Sequence, residues 1–212
     1  LAFFMGEELQ AAADILARLQ SIHQDYHGLP ASVDVFGRAS SEDIDVEATA
    51  WAGYVAALLG RASGKAQLWD EALSYADCLD RLDSVPAASS QRLPGLLLFE
   101  LLNAQFEESY AAQVTAWQIN PGSVYDPYTG LSLVLAGESI TDYFDRDYIP
   151  ESETEKWIHY NVLAALGDEP AELEAELNGM IELPVGRAVG VDDAASIAAS
   201  AWMYITLSGN FR

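Results

Sequence analysis

Residues 67–82 read QLWDEALSYADCLDRL, and this stretch decides the fold class. Leu68, Trp69, Ala72, Leu73, Ala76, Leu79 and Leu82 recur at steps of three and four, and Asp70, Glu71, Asp77 and Asp80 fall outside that stripe. A helical period puts the first set on one face, so the segment is an amphipathic helix. The same spacing extends outward in both directions. Between Glu7 and Tyr26, Leu9, Ala12, Leu16, Leu19 and Ile22 repeat it, and Gly28 and Pro30 stop the helix. A polar loop with Ser40, Ser41, Glu42, Asp43 and Asp45 follows. Val46 to Leu59 is apolar nearly all round and reads as a buried helix ended by Gly60.

On the C-terminal side, Pro94 suits the first turn of a helix whose stripe runs Phe99, Leu102, Phe106, Tyr110, Val114 and Trp117. Pro121, Gly122, Pro127 and Gly130 mark an irregular connection with room for a short helix, Leu131 to Ala136. Ser152 and Glu155 have the spacing of a capping box for a helix reaching Leu166, closed by Gly167. Asp168 caps another, with Leu173, Leu177 and Met180 inward. Asp192 and Asp193 open a last one, to Leu207, that is apolar on every side and central. Val185 to Val191 is too short and Gly-rich for a strand. The expectation is a single all-α domain over 1–212, a bundle or short α-hairpin array of about seven helices. Its core is expected to depend on Trp117 and Trp202.

One internal echo bears on domain organisation. Trp51, Tyr54, Ala56, Ala57, Leu58 and Gly60 resemble Trp157, Tyr160, Ala164, Ala165, Leu166 and Gly167, each set on an aromatic-rich helix ending in Gly. Duplicated hairpins would divide the chain into halves 7–120 and 128–212. The other explanation is that buried helices commonly look this way. Tetratricopeptide spacing fits neither copy.

Composition narrows the partners. Thirty-three Asp and Glu face ten Lys and Arg in 212 residues, a net charge of −23. Self-repulsion on that scale must be compensated or used. Nucleic acid and anionic membranes call for Lys and Arg, so both are excluded as partners. A cationic protein, a salt-rich setting or simple solubility fits. Eight of the ten basic residues are Arg, which agrees with salt adaptation and equally with a GC-rich genome. The lone Cys78 excludes a disulfide framework and suits a reducing cytoplasm. Leu1 to Met5 lacks the basic flank and length of a signal peptide. Residues 1–6 are therefore expected to be disordered or an added remnant, with Met5 as the natural first residue, unless something upstream is missing. No apolar run reaches membrane-spanning length.

The stretch from Glu138 to Glu155 carries Glu138, Asp142, Asp145, Asp147, Glu151, Glu153 and Glu155 against one Arg146, with Tyr143, Phe144 and Tyr148 interleaved. Carboxylates attract Lys and Arg, and rings hold them by cation–π contact and burial. The contrasting reading is a solvated acidic loop whose rings pack inward. Glu169, Glu172 and Glu176 share a helix face and would flank the contact. His23 and His27, four apart with Asp25 between them, could place two imidazoles on one face, and Glu155 precedes His159 by one turn. The pair lacks the Glu of His-Glu-x-x-His and a third ligand, so no metal or other cofactor is expected. The two histidines close a helix where positive charge complements the dipole. No phosphate loop, nucleophile elbow or Cys–His signature is present. The expectation is a non-enzymatic inhibitor in the bacterial cytoplasm that occludes the cleft of a cationic toxin or enzyme, as immunity proteins do. The alternatives are a helical adaptor gripping a peptide in a groove, which exposed apolar residues along one groove would favour, and a small helical metal-dependent enzyme.

Overall fold

Leu9–Tyr26 (α1), Val46–Ser63 (α2), Ala66–Asp80 (α3), Ser89–Gln105 (α4), Ala111–Trp117 (α5), Pro127–Leu135 (α6) and Glu153–Ala165 (α7) are helices of the computed structural model among its described residues. The structure describes residues 9–32, 38–39, 43–120, 122, 124–140, 142–145 and 147–167, with 173, 175, 181–182 and 187–188 beyond them. The fold is all-α. Of the helix expected over 168–180 only Leu173 and Ala175 are described, both helical, and the helix expected over 192–207, with Trp202, lies outside the described residues. The contacts gather into two compact units, the chain passing from one to the other between Ile119 and Asn120.

In the first unit α2 is the central element, and it packs against α1, α3 and α4. Its apolar circumference requires this, and Ala50, Ala52, Val55, Ala56, Ala57, Leu58 and Leu59 are all buried. Asp45 caps it, its carboxylate accepting from the Ala48 N–H at 2.9 Å. The helix does not stop at Gly60. It runs to Ser63 and closes on Gly64, whose φ of 69° is the left-handed conformation that ends helices. Gly60 is instead a packing residue, because a Cβ there would lie 3.1 Å from the Trp69 ring. Gly60 and Gly167 therefore do not play the same part, and that end of the internal echo fails.

Of the stripe on α3, Ala72, Ala76 and Leu79 are buried and Leu68, Trp69 and Leu73 half-buried; Leu82 lies beyond the helix end at Asp80, and Tyr75, outside the expected stripe, is buried with it. The stripe from Phe99 to Trp117 does not belong to one helix. Glu107 and Glu108 take positive φ values of 50° and 65°, which breaks it into α4 and α5. The Tyr110 N–H donates to Asn103 Oδ1 at 3.0 Å across the break. Folding back lets Trp117 cover Gly95, where a Cβ would come within 2.2 Å of the ring. Phe99 contacts both Tyr110 and Trp117. Pro94 stands inside α4, beyond the first turn expected for it. Its missing N–H leaves the turn before it without one bond, a cost that burial of Pro94 and Trp117 offsets.

In the second unit α6 begins at Pro127, four residues earlier than expected, because Asp126 caps it and Pro127 takes the first helical position. It packs against α7. Leu131, Ile140, Trp157, Ile158 and Val162 are the most deeply buried side chains there. Gly167 closes α7 with a φ of 77°, as the sequence implies. One detail departs from the all-helical reading. Ile181–Glu182 (β1) pairs antiparallel with Arg187–Ala188 (β2), a two-residue ladder whose second strand lies inside Val185–Val191, the stretch that reads as too short and Gly-rich for a strand. No helix among the described residues is long and apolar enough to cross a membrane.

Candidate functional site

The acidic aromatic segment is organised by two residues outside it, Tyr125 and His159. Asp126 accepts the Thr129 N–H at 3.0 Å and the Thr129 hydroxyl, which fixes the start of α6 and the residue before it, Tyr125. Tyr125 lies over Gly130, where a Cβ would stand 2.9 Å from its ring. Four rings surround it: Tyr143 at 5.4 Å, Phe144 at 5.2 Å, Tyr148 at 5.3 Å and His159 at 5.6 Å between centroids. Such pairs contribute about 0.5–1.5 kcal/mol each beyond area burial. His159 comes from α7 and is 3% exposed. Its Nδ1 stands 3.0 Å from the Tyr125 hydroxyl, and its ring stacks on Phe144 and meets Tyr148.

Hydrogen bonds pin the same segment at both ends. The Tyr143 hydroxyl accepts from the Asp126 N–H at 3.0 Å and donates to the Val124 carbonyl at 3.1 Å. The Tyr148 hydroxyl donates to Glu155 at 3.2 Å, and the same carboxylate oxygen accepts from the Glu151 N–H at 2.8 Å. Ser152 caps α7 through the Glu155 N–H at 3.2 Å. Half of the capping box is thus present. The return bond goes to Glu151 rather than Ser152, because Glu155 also serves Tyr148.

Burial sets the electrostatics. It pushes the Tyr148 hydroxyl up to about 12, with the neighbouring Glu155 carboxylate adding to the shift. It raises Tyr125 further, with help from Asp126. It lowers His159 below the usual imidazole value, opposed only in part by Asp145. The interior of the cluster is therefore neutral at pH 7, and the negative charge is outside it.

Of the residues expected to make contact, Asp142, Asp145, Asp147 and Glu151 are exposed, and Tyr143, Phe144 and Tyr148 are half-buried on Tyr125 and His159. Glu153 opens α7, with only its backbone described. Glu169, Glu172 and Glu176 lie outside the described residues. Two aliphatic residues missed by the sequence reading join the set. Val124 is 76% exposed and Ile149 is 83% exposed, each next in the chain to one of the contacting rings Tyr125 and Tyr148. Ile149 sits between Tyr148 and Pro150 within the acidic run, but the same run holds the buried Ile140, so the sequence does not mark which of the two is exposed.

The histidine pair does not form a site. His23 is buried against Tyr75, with ring centroids 4.2 Å apart, and burial lowers its pKa. It faces the core rather than complementing the helix dipole at the surface. His27 follows the helix with a φ of 55° and is exposed. Among the described residues no three His, Cys, Asp or Glu side chains could hold a metal ion.

A concavity lies between α1 and α2. It encloses about 260 Å3 and is lined by apolar side chains that include Ile15, Leu16, Leu19, Leu29, Trp51 and Val55. Glu47 accepts a hydrogen bond from Trp51, which lowers a carboxyl pKa that burial raises more strongly. Compared with known proteins, this chain matches no family model, no curated protein and no solved structure.

Proposed function

We propose that this chain is an acidic inhibitor that binds a cationic protein and covers its active cleft, the role immunity proteins play against basic toxins in bacteria. It works by occlusion in the cytoplasm and needs no cofactor or chemistry of its own. One observation carries the reading: Val124 and Ile149 stand exposed beside a packed ring cluster whose segment carries Asp142, Asp145, Asp147 and Glu151. Exposed aliphatic residues on a rigid base supply the desolvated centre of a contact. The carboxylates steer a basic surface toward it and select its sign. A solvated loop would need the acids but not the two aliphatics.

The test is binding of an arginine-rich peptide to purified variants. Asp142→Lys, Asp145→Lys and Asp147→Lys together, or Ile149→Asp alone, are expected to weaken binding about tenfold or more. Reversing three exposed acids elsewhere, Asp25, Asp70 and Asp83, makes the same change in net charge and is expected to cost far less. Equal losses from the two triple variants would reduce the interaction to overall charge and remove the face.

A second reading, a helical adaptor that holds a peptide, is favoured by the apolar cleft between α1 and α2, where Ile15 is 45% exposed. In that case Ile15→Asp, not Ile149→Asp, would abolish binding of an amphipathic peptide.

A further inference from the structure

Behind the acidic face stands a titratable group that the contact itself does not need to touch. His159 is buried, bonded to the Tyr125 hydroxyl through Nδ1, and in contact with the rings of Tyr125, Phe144 and Tyr148. Phe144 and Tyr148 belong to the segment that carries the acids. The imidazole is thus part of the base on which the face rests. We propose that His159 couples this face to pH: a cationic protein binds while the imidazole is neutral, and protonation of His159 weakens the hold. The coupling rests on the reading of the face given above.

The surrounding groups set the sign. The segment 140–150 contributes Asp145, Tyr143 and Tyr148, the start of α6 contributes Tyr125 and Asp126, and α7 itself carries Glu155 and Lys156 one turn before the histidine. Asp145 favours the imidazolium, and burial opposes it more strongly. The protonated ring can regain water only if the rings packed on it move apart. A guanidinium seated on Asp145 would cancel that carboxylate's help and add a like charge. The partner therefore disfavours the imidazolium, and by reciprocity the imidazolium disfavours the partner by the same factor. The surface carboxylates lose little charge between pH 7.5 and 5.5, so the histidine effect stands apart from theirs.

The experiment follows the His159 ring resonances of the wild-type chain by NMR from pH 7.5 to 5.5, with and without an arginine-rich peptide, whose own charge is constant in that range. The expected result is a lower His159 midpoint in the presence of peptide. Affinity is expected to fall about fivefold or more across the same range, within the ordinary span of allosteric coupling. His159→Phe keeps a ring in place and is expected to bind with little pH dependence. If that variant does not fold, the wild-type titration decides alone. A midpoint that peptide leaves unchanged or raises, or an equal pH dependence in His159→Phe, would overturn the coupling while leaving the face intact. Equal binding by wild type and by the chain reversed at Asp142, Asp145 and Asp147 would overturn the face, and the coupling with it.

Discussion

Trp117 packs over Gly95 with no room for a side chain there, and neither tolerates much change. Trp117 is 2% exposed, so Trp117→Ala is expected to cost about 3–5 kcal/mol, read from the denaturant midpoint. Gly95→Ala places a methyl group inside the indole ring and is expected to cost about 1–3 kcal/mol. A loss under about 1 kcal/mol for Trp117→Ala would show that the ring is not part of the core. His23 makes the core sensitive to pH. Burial lowers its folded pKa below the unfolded value of about 6.5. Above that value neither state binds the proton and the full stability is present. As pH falls toward the lowered folded pKa, the unfolded chain takes up the proton first and stability is lost. The denaturant midpoint is expected to drop between pH 7.5 and 5.5, and to drop less in His23→Leu. Equal drops in the two proteins would take His23 out of the effect.

Helices were legible wherever a stripe was continuous and a cap stood at its end. Asp45, Ser152, Gly64 and Gly167 all act at the boundaries of α2 and α7. Their residue types are visible in the sequence, although Gly60 reads as the stop that Gly64 makes. Periodicity failed at Glu107 and Glu108. A stripe continues across a turn whenever the chain folds back onto the same core, and Phe106 and Tyr110 remain in contact across this one. A left-handed residue with a Cβ costs roughly 1–2 kcal/mol relative to the right-handed form. Glu108→Gly is accordingly expected to be neutral or stabilising by up to about 1 kcal/mol in thermal unfolding, although glycine gives back part of this through the entropy of the unfolded chain. Gly64→Ala is expected to destabilise by about 1 kcal/mol, since its φ of 69° suits glycine. A marked loss in Glu108→Gly would mean that α4 and α5 are one helix.

At the scale of the molecule, the sequence displayed the ingredients of the face but not its base. Tyr143, Phe144 and Tyr148 could be picked out because they interrupt a run of acids. Tyr125 and His159 could not, because they lie outside that run and only folding brings them to it. The exposure of Val124 and Ile149 was hidden for a related reason: it depends on which neighbouring side chains turn inward. What the charge of −23 does is the central question, and it has a direct measurement. Steering acts over the Debye length, about 30 Å at 0.01 M salt and 8 Å at 0.15 M. The association rate of an arginine-rich peptide should be measured across that range by stopped flow, for the wild-type chain and for the chain carrying Lys at 142, 145 and 147. The expected result is a wild-type rate that falls about tenfold or more with salt, and a reversed variant that associates slowly and responds weakly. A salt-independent wild-type rate, or a reversed variant that matches it, would contradict the acidic face as a device for capturing a cationic protein.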